Sequence, residues 1–363
     1  MPLTSKVLPY LTAYLPGVGG QYKVEPEDFI VEEIPAYEPA GEGHHLFLWI
    51  EKRDIPHDLL MRRISSVLAV SPNDIGFAGI KDRRAVTRQY VSVPISSAER
   101  VDGLNSDQLT VLRSSPHGNK LKTGHLRGNR FTVVLRGTGE NAIQTAQSIV
   151  QRLNQSGFPN YYGEQRFGHD GETLKLGLDL LTGEKKPNDI PYSKRRFLLR
   201  LALSSVQSDL FNQALALRLE AGLLHTVLAG DVLEVTQSGG KFVAEDVARE
   251  QDRLDRGEVT VTGPMFGVKM LSPRGVPLEQ ENKLLDESGL KLDQFQKYSQ
   301  LLSGARRSFI ARPGELRTSQ VKQGIQLEFT LPSGVYATTL LRELMKEELT
   351  ATSLAETDNE PQN

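Results

Sequence analysis

Short strand-like segments alternate with amphipathic helices in the first part of the chain, and this pattern constrains the fold most strongly. The clearest strand pattern covers residues 28–34, where apolar and polar side chains alternate. A helix is predicted over residues 57–70, because Leu60, Ile64 and Leu68 recur at helical spacing. The sequence therefore predicts a domain that contains both strands and helices.

A chain of 363 residues is longer than one hydrophobic core usually fills, so two domains are expected. Two segments, 160–168 and 262–267, contain glycine together with aromatic or polar residues and are predicted to be ordered loops. The last fourteen residues, 350–363, are polar and acidic and are predicted to be a disordered tail. Further strands are predicted at 45–50, 75–80, 90–94, 109–113, 131–135, 230–235, 241–243 and 327–331, and further helices at 141–153, 205–220, 245–256 and 338–348.

Charge is segregated along the chain, although the total is close to neutral at −2. Residues 76–137 hold eleven Lys or Arg against four acids, a net charge of +7, and residues 194–196 form a second basic cluster with Arg200 following. Residues 343–363 contain six acids and one lysine. This distribution indicates that one surface faces phosphate groups and others do not.

Several classes of function lack the residues they need. The sequence has no cysteine, which excludes disulfides, thiolate metal sites and a cysteine nucleophile. The seven histidines form no compact metal-binding spacing, and no phosphate-binding glycine loop or serine-hydrolase elbow is present. These features favour an enzyme that needs no cofactor and no metal, or a protein that is not an enzyme. With no long apolar segment, no membrane span is expected, and a cytoplasmic protein is the simplest interpretation.

The sequence from Gly79 to Gln89, GIKDRRAVTRQ, places one carboxylate, Asp82, among Lys81, Arg83 and two further arginines. A cationic loop suits a polyanion such as RNA, whereas a carboxylate in that loop would repel phosphate. Asp82 either forms a structural ion pair or reacts with a molecule that the cations have bound.

A second polar stretch, HGNKLKTGHLRGNRF at residues 117–131, combines four Lys or Arg with Asn129 and Phe131. An asparagine amide offers a donor and an acceptor together, which match the edge of a uracil, and a phenylalanine offers a stacking face to an unstacked base. The simpler interpretation is a basic surface loop that leads into a strand, with Phe131 in the core.

Five segments of the chain resemble motifs of the TruD family of tRNA pseudouridine synthases. The segments occur in the same order over most of the chain. The two at residues 76–89 and 160–168 are long and specific. The region from about 182 to 301 matches more loosely. The segments are GFAGIKDRRAVTRQ at 76–89, NYYGEQRFG at 160–168, RGNRF at 127–131, FTLPSGVYATTLLREL at 329–344 and EDFIVEE at 27–33.

The resemblance implies an enzyme that isomerises uridine to pseudouridine in tRNA, at position 13 by the usual specificity of the family. It implies an α+β fold, with a pseudouridine synthase-type catalytic domain built on a mixed, largely antiparallel sheet with flanking helices. Residues 1–157 and 310–349 would form this split domain, and residues 158–309 would form an inserted, family-specific α/β domain. It implies tRNA as the partner, and no protein partner is evident.

The resemblance also assigns residues to the site. Asp82 matches the catalytic aspartate of the family, and Phe29, Asn129 and Phe329 match positions assigned to substrate binding. Phe131 also falls in the family pattern and is assigned to substrate binding here. The isomerisation needs an ionised carboxylate, and neighbouring cations lower the pKa of an aspartate. Lys81, Arg83 and Lys23 are the candidates for that cation, and the sequence does not choose among them.

Two other functions remain open from the residues alone. The first is a non-catalytic RNA-binding protein that uses the same basic surface. The second is a hydrolase or glycosidase with paired carboxylates, for which Glu32 and Glu33 are the candidates. Adjacent residues of a strand point to opposite faces, so these two side chains are not expected to flank one bond.

Overall fold

The computed structural model describes residues 7–346, and the predicted acidic tail at 350–363 lies outside them. The described residues form two compact units. The first unit comprises residues 15–155, 312–337 and 344–346, and the second comprises residues 7–14, 156–311 and 338–343. Compared with the domain boundaries expected from the sequence, residues 7–14 and 338–343 group with the second unit.

The helices and strands alternate along the whole chain. The α-helices are α1 His57–Leu68, α2 Ala142–Ser156, α3 Glu172–Thr182, α4 Tyr192–Glu220, α5 Val247–Asp255, α6 Gly275–Glu287, α7 Leu292–Gln296 and α8 Ala337–Met345. Short 3-10 helices cover Pro26–Asp28, Pro72–Asp74, Ile95–Leu104, Glu164–Phe167, His169–Gly171 and Pro187–Asp189. The strands are β1 Phe29–Pro35, β2 His45–Arg53, β3 Gly76–Phe77, β4 Val86–Pro94, β5 Leu109–His117, β6 Leu126–Arg136, β7 Phe158–Pro159, β8 Val232–Val235, β9 Lys241–Val243, β10 Val259–Met265, β11 Ala305–Ser308, β12 Ile310–Ala311, β13 Gly314–Val321 and β14 Gly324–Pro332.

An eight-stranded sheet in the order β13–β14–β6–β1–β4–β2–β5, with β3 paired to β4, forms the centre of the first unit. The pairing of β1 with β4 is parallel, and the six other strand pairs of this sheet within residues 7–346 are antiparallel. The expected α+β fold with a mixed, largely antiparallel sheet is therefore confirmed. Its central strands β1, β4 and β6 carry or adjoin most of the predicted site residues.

Apolar residues from alternating strand positions and from α1 form one core of this unit. Leu48 and Ile50 of β2 pack with Leu60 and Ile64, which recur at helical spacing along α1. The helix ends at Ala69, which adopts the left-handed conformation of a helix C-terminus. Leu46, Leu48 and Ile50 of β2 thus face the helix, and the strand that the sequence predicts at 45–50 is present.

The second unit is built around α4 and a four-stranded sheet in the order β11–β10–β8–β9. Leu203, Val206 and Leu210 of α4 are buried in a core that also contains residues from α3, α6 and α7. A separate apolar cluster joins Phe211 and Leu215 of α4 to the sheet. Helix α4 therefore contributes to both cores of the unit.

Two elements of the second unit differ from the sequence predictions. Helix α4 begins at Tyr192 instead of residue 205. The earlier turns were not predicted because their apolar residues, at 197–199 and 201–203, form nearly continuous runs and not a single helical stripe. The loop predicted at 262–267 is mostly strand, since Thr262 to Met265 belong to β10 and pair with β11. Gly263 lies inside this strand because the ring of Phe309 occupies the space that a Cβ atom would need.

Candidate active site

Asp82 lies in the loop between β3 and β4, beside a lysine that is distant in sequence. The Nζ of Lys23 donates a hydrogen bond to Oδ1 of Asp82 at 2.9 Å. Lys23 has a left-handed backbone conformation, with φ of 58°, immediately before the segment that leads into β1. Its side chain is 8% exposed, whereas that of Asp82 is 35% exposed. The carboxylate is therefore held by a buried cation and still reaches solvent.

The pKa of the Asp82 carboxyl lies below its ordinary value. Burial acts to raise this pKa, but the charge and hydrogen bond of Lys23, with a contribution from the charge of Lys52, outweigh the effect of burial. Asp82 is therefore ionised at neutral pH. Of the three cations that the sequence proposed, Lys23 forms a hydrogen-bonded ion pair with this carboxylate.

Lys52 of β2 fixes the backbone of the Asp82 loop. Its Nζ donates to the carbonyl oxygens of Ile55 and Asp82, both at 2.7 Å, and more weakly to that of Lys81 at 3.4 Å. The side chain is fully buried. A buried ammonium that bonds three carbonyl groups holds the loop in one conformation.

Lys81 forms a buried ion pair with Glu33 of β1, and in the described part of the chain it makes no hydrogen bond to Asp82. The Nζ of Lys81 lies 2.8 Å from Oε2 of Glu33, and the two side chains are 4% and 1% exposed. Glu32, the neighbour of Glu33, is 34% exposed and pairs with Arg88 on the other side of the strand. These two glutamates therefore do not flank one bond, as the sequence predicted.

The arginines of the loop also contact the protein itself. Arg83 lies 3.7 Å from Asp54, Arg84 donates to a backbone carbonyl of residue 24, and Arg88 pairs with Glu51 at 2.8 Å. The arginines that the sequence predicted to bind phosphate therefore also stabilise the loop by contacts with neighbouring segments. Among the cations of residues 117–131, Lys122 and Arg127 are exposed and have no side-chain partner within residues 7–346.

Three phenylalanine rings that the sequence assigned to substrate binding pack against one another. The ring of Phe131 on β6 stacks on that of Phe329 on β14, with centroids 5.1 Å apart, and meets the edge of Phe29 at 5.9 Å. The Nζ of Lys23 lies 4.4 Å from the centroid of Phe29, which joins this cluster to Asp82. All three rings are buried, with 1–6% of each residue exposed.

Asn129 lies on the same face of the sheet as these rings. It pairs in register with Glu33 of β1, and Phe131, two residues later, pairs with Val31 and with Phe329. Its Oδ1 is buried without a hydrogen-bond partner among the described residues. The structure thus brings Phe29, Asn129, Phe131 and Phe329 to one face, near the Lys23–Asp82 pair.

Strand β4 adds two buried polar side chains to this face. Thr87 pairs in register with Val31 and with Lys52, and Gln89 follows two residues later. The hydroxyl of Thr87 and both polar atoms of the Gln89 amide are buried without a partner in the described part of the chain. An unsatisfied buried amide is rare in native proteins and marks a place where another molecule or a water completes the hydrogen bonds.

No group of three or more His, Asp or Glu side chains within residues 7–346 is arranged to hold a metal ion. In the same residues, no helix is long and apolar enough to cross a membrane.

The sequence as a whole matches one known family. The family model described as tRNA pseudouridine synthase D, or TruD, matches residues 7–187 and 194–344. The chain belongs to the TruD family. The family expected from the sequence motifs is therefore confirmed.

Relatives in this family resemble the chain over nearly its full length. A tRNA pseudouridine synthase D of Anaeromyxobacter sp. is 41% identical over 338 residues, which cover 93% of this chain and 96% of the relative. A tRNA pseudouridine synthase D of Thermus thermophilus is also 41% identical, over 341 residues that cover 94% of this chain and 92% of the relative. The crystal structure of a putative tRNA pseudouridine synthase D from Methanosarcina mazei matches with a TM-score of 0.77 at 27% identity, covering 94% and 97% of the two chains.

Several residues of this TruD-family site were not found by sequence reasoning. The sequence did not predict that the charged side chains of Lys52 and Glu33 are buried in their strands. Their contacts, with Ile55 and Lys81 respectively, depend on how the strands assemble into the sheet. Gln89 lies in the first family motif, and a polar residue within an otherwise apolar strand was the signal that could have identified it.

Proposed function

We propose that this protein isomerises uridine to pseudouridine at position 13 of tRNA, with the Asp82 carboxylate as the catalytic group. The observation that carries the proposal is an ionised, partly exposed carboxylate bonded to Lys23, in a chain of the TruD family. Position 13 rests on the family motifs, and the role of Asp82 rests on those motifs together with the geometry of the site.

The proposed reaction rearranges the nucleoside without adding or removing a group. The bond between N1 of uracil and C1′ of the ribose breaks, the base turns, and C5 joins C1′. The proton on C5 leaves and N1 gains a proton, so the atoms balance and no electrons are exchanged with another molecule. The chemistry therefore needs a nucleophile and a base, which side chains can supply.

Asp82 supplies the nucleophile in this proposal. An aspartate attacks as the carboxylate, and Lys23 keeps this carboxyl ionised despite its partial burial. Attack on C1′ of the ribose and attack on C6 of the base both start from this ionised form. After the base has turned, the same carboxylate is placed to accept the C5 proton.

The target uridine must leave its stack before it reaches Asp82, which costs a few kcal/mol. We assign Phe29, Asn129, Phe131 and Phe329 to the binding of the extruded nucleotide. The free Oδ1 of Asn129 offers an acceptor to the N3–H group of uracil. Base stacking on an aromatic ring contributes roughly 1–3 kcal/mol. Because these rings pack on one another, binding through their faces requires the base to displace one of them.

The division of the chain fits the same proposal. We assign the first unit to catalysis, because Asp82, Lys23 and the aromatic cluster all belong to it. We assign residues 158–309 to the inserted, family-specific domain. A tRNA substrate also makes the cytoplasm the expected compartment.

A non-catalytic RNA-binding protein would share the cationic surface but would have no use for an ionised aspartate at its centre. The comparisons give this alternative no support, since the relatives carry the name of an enzyme.

The direct experiment incubates the purified protein with an unmodified tRNA transcript and maps pseudouridine along the product. We expect a single pseudouridine at position 13, and none in a matched transcript that has cytidine at this position. Pseudouridine at a different position would refute the assigned specificity, and its complete absence with bound tRNA would favour the RNA-binding alternative.

A further inference from the structure

The first half of helix α4 presents an aromatic residue and two arginines in a line on its surface. Tyr192, Arg196 and Arg200 are spaced by four residues and therefore lie one above the other on one side of the helix. All three are exposed, and Tyr192 is 87% exposed. Lys194, on the same turn as Tyr192, is exposed as well.

The charges in this region are not neutralised by the protein. Residues 190–208 contain four Lys or Arg and no Asp or Glu. Within residues 7–346, Lys194, Arg196 and Arg200 take part in no ion pair. The charge of this segment is therefore available to an anion from outside.

Helix α5 of the same unit provides a contrast, because each of its arginines pairs with acids. Arg249 and Arg253 pair with Glu250, and Arg256 lies 3.2 Å from Asp252 and 2.9 Å from Glu258. In and directly after α5, the charge of each arginine is therefore neutralised by neighbouring acids. The first half of α4 departs from that arrangement.

Tyr192, Arg196 and Arg200, here called the α4 track, extend over about 12 Å of the helix. Farther along α4, positions at the same spacing turn into the protein, where Ser208 is fully buried. There the guanidinium of Arg166 donates to the hydroxyls of Ser204 and Ser208, at 2.8 and 3.2 Å.

We propose that the α4 track binds a strand of the RNA substrate, with the arginines on successive phosphates and Tyr192 stacked on a base. The inference deepens the function proposed above and rests on it for the identity of the RNA. An exposed cationic groove with an aromatic platform is the combination by which proteins hold nucleic-acid strands without reading their sequence. Tyr192 lies in the six residues, 188–193, that fall between the two segments of the family match. The family match therefore does not extend to the proposed stacking platform.

A nucleic acid fits this surface better than a lipid membrane does. A membrane-binding helix needs several apolar side chains that enter the acyl region, and within residues 190–208 Tyr192 is the one large apolar residue that is strongly exposed. Arg195 covers one side of that ring at 5.6 Å from its centroid and is itself anchored to the carbonyl of Ile190. The ring is thereby held in place with its other side open to a base.

The test compares two double variants that remove the same formal charge from the same unit. Arg196→Ala with Arg200→Ala removes free cations of the track, and Arg249→Ala with Arg256→Ala removes cations that are already paired. The affinity for an unmodified tRNA transcript is measured over a series of KCl concentrations. Each lost phosphate contact lowers the slope of log K against log salt by about 0.7–0.9. We expect the track variant to lose about 1.4–1.8 of slope and the α5 variant to keep the slope of the unaltered protein.

Further variants identify the interaction. Arg196→Lys with Arg200→Lys should restore most of the slope, because a lysine also neutralises a phosphate. Tyr192→Ala should weaken binding roughly fivefold or more without changing the slope, since it removes stacking and no charge. In turnover, the track variant should raise KM for tRNA far more than it lowers kcat.

Equal slopes for the two double variants would overturn the proposal, as would full affinity of Tyr192→Ala together with an unchanged slope for the track variant. Circular dichroism and thermal melting confirm that each variant is folded, which the exposure of the substituted residues leads us to expect. If the unaltered protein made no pseudouridine, the proposed activity would be refuted, yet the binding comparison would still decide whether the track holds RNA.

Discussion

The ammonium of Lys23 lies 2.9 Å from the carboxylate of Asp82, although 59 residues separate the two in sequence. The same ammonium lies 4.4 Å from the centroid of the Phe29 ring. One buried cation therefore sets the charge of the candidate catalytic group and links it to the aromatic cluster. Lys23 makes the largest contribution to the ionisation of Asp82, and the charge of Lys52 adds a smaller one.

Replacing Lys23 by methionine should raise the pKa of Asp82, because burial would then act with the main opposing charge removed. In the unaltered protein the pKa of Asp82 is lowered, so the active carboxylate is present above this pKa and is lost as the pH falls through it. The acidic limb of kcat/KM should therefore move to higher pH in Lys23→Met. Lys23→Arg, which keeps the charge, is the matched control. An acidic limb that does not move in Lys23→Met would show that another group controls the ionisation.

The buried ion pair of Lys81 and Glu33 should contribute strongly to stability when only one partner is removed. Lys81→Met leaves a carboxylate without its cation at 1% exposure, which is expected to lower the free energy of unfolding by about 3–5 kcal/mol. The exposed pair of Arg53 and Glu27 is the control, and Arg53→Met should cost far less stability than Lys81→Met. Urea denaturation measures both values. Similar losses in the two variants would contradict the assigned role of burial.

The amide of Gln89 has no partner within the described residues, so its burial is expected to destabilise the free protein. Gln89→Leu removes the unsatisfied atoms and keeps a similar shape, and should increase the free energy of unfolding by about 1–2 kcal/mol. If the amide binds the substrate, the same variant should raise KM for tRNA. Chemical denaturation and steady-state kinetics test the two effects. A loss of stability would indicate that the amide is already satisfied, for example by a buried water.

Asp209 on α4 should make stability depend on pH. Burial raises the pKa of this carboxyl to about 7, while its side chain accepts a hydrogen bond from Gln213 at 2.6 Å. Because the pKa of Asp209 is higher in the folded than in the unfolded protein, the folded protein binds more protons at pH values between the two pKa values. Stability should therefore fall as the pH rises from about 4 to about 7. Asp209→Asn should remove this decline and stabilise the protein at pH 8 by up to about 4 kcal/mol. An identical pH dependence of both proteins in thermal melting would exclude this role.

The strands of the first unit could be predicted because their buried residues are mostly apolar. In β2, residues 46–50 form a short apolar run, which predicts a strand that is buried on both faces, and Phe47 is indeed buried on the face opposite Leu46, Leu48 and Ile50. The start of α4 could not be predicted, since its apolar residues at 197–199 and 201–203 form runs that are interrupted by Arg200 and show no single helical stripe. The strand from Thr262 to Met265 was not predicted because Gly263 and Pro264 are typical of loops. Gly263 occurs in this strand because the ring of Phe309 leaves no room for a Cβ atom.

The site shows the same division between local and long-range information. Asp82 is recognisable because one acid among cations is unusual over a few residues. The choice of Lys23 as its partner depends on how the segment before β1 approaches the loop before β4, which no local pattern encodes. Lys81 and Arg83 were equally plausible on sequence alone, and their carboxylate partners, Glu33 and Asp54, lie elsewhere in the chain. The burial of Phe131 and Phe329 likewise follows from the pairing of β6 with β14.

The central claim is that the ionised carboxylate of Asp82 performs the isomerisation, and the most direct test is pseudouridine formation by Asp82→Asn under saturating tRNA. The variant keeps the size of the side chain and removes its charge, so tRNA binding should persist while the rate falls on the order of 10³-fold or more. Measuring binding and single-turnover rate in the same samples separates the two effects. Pseudouridine formation at the rate of the unaltered protein, or a loss of rate fully explained by weaker tRNA binding, would contradict the proposed role of Asp82.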